Sequence, residues 1–141
     1  MGWLYYAILA GTGFGVYNFF VKITADKFSP TISLTIISGS AFIVSILGLL
    51  LFRLLGIPLL FDKGSLYKPI LGGIMYGTAL FLSVIMYSRG APLSLGIPLV
   101  LAILTVIVTV LSVTVLHEPL NYVRIIGLIV IITGFFILAR S

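Results

Sequence analysis

Five apolar runs divide this chain, and each has the length of a membrane crossing. They extend from Trp3 to Val21, Thr31 to Phe52, Pro69 to Tyr87, Leu93 to Leu116 and Val123 to Ala139. Each holds roughly 17–24 residues, and about 20 residues in a helix span a hydrocarbon core ~30 Å thick. Inside that core no water satisfies backbone N–H and C=O groups, so a crossing segment must be a helix or part of a closed barrel. Barrel strands are about half as long and alternate polar with apolar residues. These runs are long and continuous, so helices are expected.

Composition agrees. Hydrophobic residues make up 61% of the 141 residues and charged residues only 8%. Soluble domains average roughly 45–50% and 25%, and a soluble chain this apolar would expose large patches and aggregate. The expected fold class is an all-α integral membrane protein, a bundle of five transmembrane helices in one domain over residues 1–141. The first run lacks a basic leader and a small-residue cleavage site, so it reads as a retained helix. The connections are short, and the longest is Arg53–Lys68, "RLLGIPLLFDKGSLYK". That loop is apolar enough to lie partly in the membrane interface. With no cysteine, disulfides and thiolate chemistry are absent. The net charge of +5 comes from scattered single basic residues, which argues against nucleic acid as a partner.

Five crossings put alternate loops on opposite sides. Arg53, Lys63, Lys68 and Arg124 fall on one side, and Lys22, Lys27, Arg89 and Arg140 on the other. Orientation normally follows an excess of Lys and Arg on the cytoplasmic side. Here the count is tied. One reading is dual topology, with copies inserting both ways and pairing antiparallel. The other is that the free amino terminus or a partner decides a single orientation.

The segment "LHEPLNYVRIIG", Leu116 to Gly127, carries the only histidine and the only glutamate. His117-Glu118 resembles the start of a zinc-protease helix motif. Asn121 stands where the second histidine would be, and Pro119 forbids the continuous helix. No metal site and no cofactor are expected. The segment reads instead as a hinge. Helix four ends near Leu116, Asn121 caps helix five, and Glu118 sits near the positive end of that helix's dipole.

Polar residues within the runs are costly in hydrocarbon unless they face protein or a cavity. At about 100° per residue, Gly11, Gly15, Asn18 and Lys22 share one face of the first run. Gly73, Tyr76, Ser83 and Tyr87 share a face of the third. On the fourth, Ser94, Pro98, Thr105, Thr109 and Ser112 do so. Three facing stripes would line a polar path for a small solute. Alternatively, each Ser or Thr bonds its own helix backbone four residues back. Lys22 faces either this path or the lipid headgroups. Glycines spaced by four or seven, Gly73 with Gly77 and Gly127 with Gly134, suit close helix packing. All three acids, Asp26, Asp62 and Glu118, lie in loops. An enzyme would need a convergent acid, base or metal, and none is visible.

These motifs resemble an EamA-like domain of the drug/metabolite transporter superfamily. The resemblance covers the whole chain. It is carried at the end by Glu118, Leu120, Gly127 and Gly134, at the fourth helix by "APLSLGIPLV" (91–100), and at the first helix by Lys22 and Pro30. It implies a multi-pass carrier in the cell (inner or plasma) membrane that moves a small molecule by alternating access. Most such carriers hold two five-helix units, inverted relative to each other. The resemblance therefore implies an antiparallel homodimer here, or a heterodimer with a similar short chain. Related small multidrug-resistance proteins carry a glutamate in their first helix, whereas Leu9 to Val21 contain no acid. The alternative function is a small accessory or structural subunit of a larger membrane complex.

Overall fold

The computed structural model describes residues 2–140. Five α-helices account for most of them, and there is no strand among the described residues. The helices are α1 (Trp3–Thr24), α2 (Pro30–Leu54), α3 (Tyr67–Ser88), α4 (Leu93–Thr114) and α5 (Tyr122–Ala139). This is an all-α membrane protein, as its apolar runs predict. The first four helices are long and apolar enough to cross a bilayer. The last has 18 residues, a reach of about 27 Å at ~1.5 Å per residue, slightly short of a ~30 Å core.

The chain forms two compact units, dividing after Gly90. In the first, α3 packs against both α1 and α2. Its tightest region lies where the end of α1 meets the second half of α3. Val84 and Tyr87 there are almost wholly enclosed, and Val21, Ala25 and Leu80 are buried beside them. In the second unit, α4 and α5 pack as a helical hairpin, with Ala102 buried. Most large apolar side chains are otherwise exposed on both units, as expected where lipid is the solvent.

Local chemistry sets the boundaries. Pro30 opens α2 behind Ser29, whose backbone is extended, because a helix's first turn does not need the missing N–H. Gly56, at φ +67°, closes α2. Its N–H donates to Arg53 O at 3.2 Å and that of Ile57 donates to Phe52 O at 3.0 Å. That paired arrangement satisfies the last carbonyls and favours glycine at the left-handed position. A short 3-10 turn, Lys63–Ser65, then leads into α3. Asp62 starts it by accepting the Gly64 N–H at 3.0 Å. Hydrogen bonds from the Ser65 side chain and from Gly64 hold the Asp62 carboxyl below its ordinary range.

Helix α4 stops at Thr114, two residues before the expected Leu116. Val115 and Leu116 continue the apolar pattern, but the backbone turns, and His117 takes the left-handed φ of 54°. The Glu118 N–H donates back to Ser112 O at 3.2 Å. Asn121 caps α5 as expected, accepting the Val123 N–H at 3.3 Å.

Candidate functional site

In the first unit an open cleft of about 870 Å³ lies between α1 and α2, with α3 as its floor. Phe14 and Tyr17 form one wall, Ile36 and Ser40 the other, and Tyr76 and Leu80 the base. The helical spacing of Ala10, Gly13, Phe14 and Tyr17 puts them on one face of α1, and Gly13 leaves room beside the two rings. None of the residues lining this cleft is charged. The Tyr17 hydroxyl is enclosed and has no hydrogen-bond partner, which is uncommon for a buried polar group. The same holds for the Ser33 hydroxyl on α2.

Beside the cleft, toward the end of α1, three of the expected residues come together. The Tyr87 hydroxyl donates to Asn18 Oδ1 at 3.3 Å. The Asn18 amide donates to Phe14 O at 2.7 Å, so both ends of that side chain are engaged. Lys22 Nζ lies 5.9 Å from the centroid of the Tyr87 ring, the outer edge of cation–π range. Tyr87 is itself 2% exposed. Its hydroxyl in this apolar setting needs a partner, and Asn18 is that partner across the α1–α3 contact.

The other stripe residues fare differently. Tyr76 lines the cleft. Gly11 and Gly15 are exposed and lie on roughly the opposite side of α1 from Gly13. The Ser83 hydroxyl donates to Ala79 O at 2.9 Å, and that of Thr105 to Leu101 O at 2.7 Å. Their protons are thus used within their own helices. Ser94, Pro98 and Thr105 all belong to the second unit, where Pro98 sits inside α4 and leaves the Ser94 carbonyl without its usual helical donor. A Cβ added at Gly73, Gly77, Gly127 or Gly134 would meet nothing within 4 Å. These glycines present open surface among the described residues of the chain.

Tyr17 escaped the sequence reading because an aromatic residue in an apolar run looks like any lipid-facing ring. The available signal was its place three and four residues from Phe14 and Gly13. Glu118 also has contacts that its position near the start of α5 did not reveal. Its carboxylate turns back to α4 and accepts the Ser112 hydroxyl at 2.6 Å. Arg124 on α5 stands 4.0 Å from the same oxygen and donates to Pro119 O at 3.4 Å. A smaller hollow of about 380 Å³ lies here, between α4 and α5. Glu118 thus joins the two helices of the second unit, in addition to standing near the start of α5.

A family model described as the EamA-like transporter family matches residues 1–140 of the chain. No curated protein matches, and no solved structure matches.

Proposed function

We infer the function from one premise: the chain belongs to the EamA-like transporter family. It is a multi-pass membrane protein of the drug/metabolite transporter superfamily. The finer reading is a secondary transporter in the cell membrane that moves a small solute by alternating access. The working form is an antiparallel pair of five-helix domains, from two copies or from one copy and a similar chain. Inverted units around a site near the bilayer midplane are a general transporter design.

The cleft of the first unit carries this reading. Its volume of about 870 Å³ falls within the ~300–1,000 Å³ typical of small-molecule sites. Phe14, Tyr17 and Tyr76 offer ring faces, and no lining residue carries a charge. That favours a neutral or amphipathic solute over an ion. Asn18, Tyr87 and Lys22 form the polar end of the same helix pair, where the Tyr87–Asn18 bond ties α1 to α3 beside the cleft and Lys22 supplies the one charge. Gly11, Gly15, Ser83, Ser94, Pro98 and Thr105 remain route candidates to be tested behind these.

The test has two stages. A thermal-shift screen over metabolites finds a binder, because a ligand for the folded form raises Tm. Uptake of that labelled solute into vesicles is then measured for wild type, Asn18→Leu and Tyr76→Leu. Both substitutions are expected to cut uptake at least about tenfold, since each loss of a few hydrogen-bonding or ring contacts is worth ~1.4 kcal/mol or more. Full uptake by both variants would remove the site.

A further inference from the structure

The loop between α2 and α3 exposes an apolar surface that takes no part in lining the cleft. Leu54 is 84% exposed, Leu60 98% and Phe61 69%. Leu55, Ile57 and Leu59 are exposed beside them. Apart from Gly56 and Pro58, 55–61 holds only large hydrocarbon side chains. The segment belongs to no helix. The N–H groups of Leu55, Gly56 and Ile57 bond back to the end of α2, and the backbone groups beyond them need water or headgroups, which keeps that stretch out of the hydrocarbon core.

The flanks are basic. Arg53 precedes this apolar segment, and Lys63 and Lys68 follow it. The one acid nearby, Asp62, keeps its negative charge while accepting the Gly64 N–H, so three basic residues stand against one acid in this loop. The helices on either side, α2 and α3, are both of membrane-crossing length, so the loop starts and finishes at the bilayer boundary. Apolar side chains with Lys and Arg around them, held at that depth, match a surface whose upper layer is negative and whose lower layer is hydrocarbon.

We propose that residues 53–68 form a binding surface for anionic phospholipids, with Leu59, Leu60 and Phe61 seated among the upper acyl carbons and Arg53, Lys63 and Lys68 on the phosphates. The occupant is lipid rather than a second protein chain, because the two layers of its chemistry correspond to the apolar and basic parts of this loop. The surface is independent of the solute site. It fixes the depth of the α2–α3 connection and gives the protein a shell enriched in acidic lipid.

The experiment uses the full chain carrying Trp3→Phe and Leu60→Trp, which leaves one tryptophan reporter in the loop. The protein is reconstituted into phosphatidylcholine vesicles with and without phosphatidylglycerol. Brominated phosphatidylcholine is expected to quench the reporter and aqueous iodide to leave it protected. Energy transfer to dansyl-phosphatidylglycerol is expected to exceed transfer to dansyl-phosphatidylcholine severalfold at low salt, because each basic residue near the surface contributes about fivefold. The triple variant Arg53→Gln, Lys63→Gln, Lys68→Gln should bring the two signals to parity while the reporter stays protected. Quenching by iodide but not by bromolipid would overturn the proposal, since the loop would then lie in water. Protection from both quenchers would also overturn it, since protein would then cover the loop. Equal transfer to both dansyl lipids in the chain with its basic residues intact would remove the anionic preference.

Discussion

His117 carries the one left-handed backbone among the described non-glycine residues, at φ 54°. A side chain there costs about 1–2 kcal/mol, and glycine removes most of that strain. His117→Gly is therefore expected to raise the Tm of the detergent-solubilised protein by an amount equivalent to roughly 0.5–1 kcal/mol, after the greater freedom of glycine in the unfolded chain is subtracted. His117→Val should lower it, because a β-branched residue fits that region poorly. The neighbouring Glu118 shows a second residue-scale effect. Its bond from Ser112 is short and charge-assisted, but its side chain is 53% exposed. Solvent therefore weakens it, and Glu118→Ala is expected to cost about 1 kcal/mol. Thermal unfolding of the three variants, and of the double mutant that combines His117→Gly with Glu118→Ala, checks these effects. Because the residues are adjacent, their effects need not add.

At the scale of the element, the sequence made the helices legible and left their contacts obscure. Each expected run lies within a few residues of an observed helix, because apolar length alone defines a crossing. The ends moved where hydrogen bonding, and not hydropathy, decides: Gly56 closes α2 with backbone bonds from two residues, and the turn at His117 ends α4 inside an apolar stretch. Face-to-face relations were harder. The spacing rule grouped Asn18 with Lys22 and Tyr76 with Tyr87, and the structure joins Asn18 to Tyr87. It could not reveal that α1 turns Gly13 and Tyr17 to the cleft, since in lipid both sides of a helix are apolar. The glycines make the same point. Gly127 and Gly134 share a face of α5, with free space beside each. Gly127→Leu should change the stability of the isolated chain by no more than about 0.5 kcal/mol. If that face meets another helix in an assembled pair, the same substitution lowers the paired fraction severalfold. Thermal shift and crosslinking yield on one preparation separate the two effects. Unchanged crosslinking would assign the face to lipid.

At the scale of the whole molecule, the tied count of basic residues is the feature with most consequence. With all five helices crossing, four Lys or Arg fall on each set of loops, and on the dual-topology reading neither insertion is preferred. A balance of this kind is sensitive to one charge. Arg89 stands exposed in the turn between α3 and α4, where replacing it should disturb neither helix. Arg89→Gln leaves three basic residues against four. The population should then move toward the orientation that holds the loops bearing Arg53, Lys63, Lys68 and Arg124 in the cytoplasm. A reporter fused to the C-terminus and active on only one side of the membrane reads the ratio. In wild type both orientations should be found, and in the variant one should dominate. Transport should fall with that shift, because surplus copies of one orientation have no opposed partner. Co-expression with a variant biased the other way should restore it. A wild-type chain found in a single orientation would end the antiparallel-homodimer reading while leaving the heterodimer intact, since a similar chain inserted the opposite way would supply the same inverted geometry.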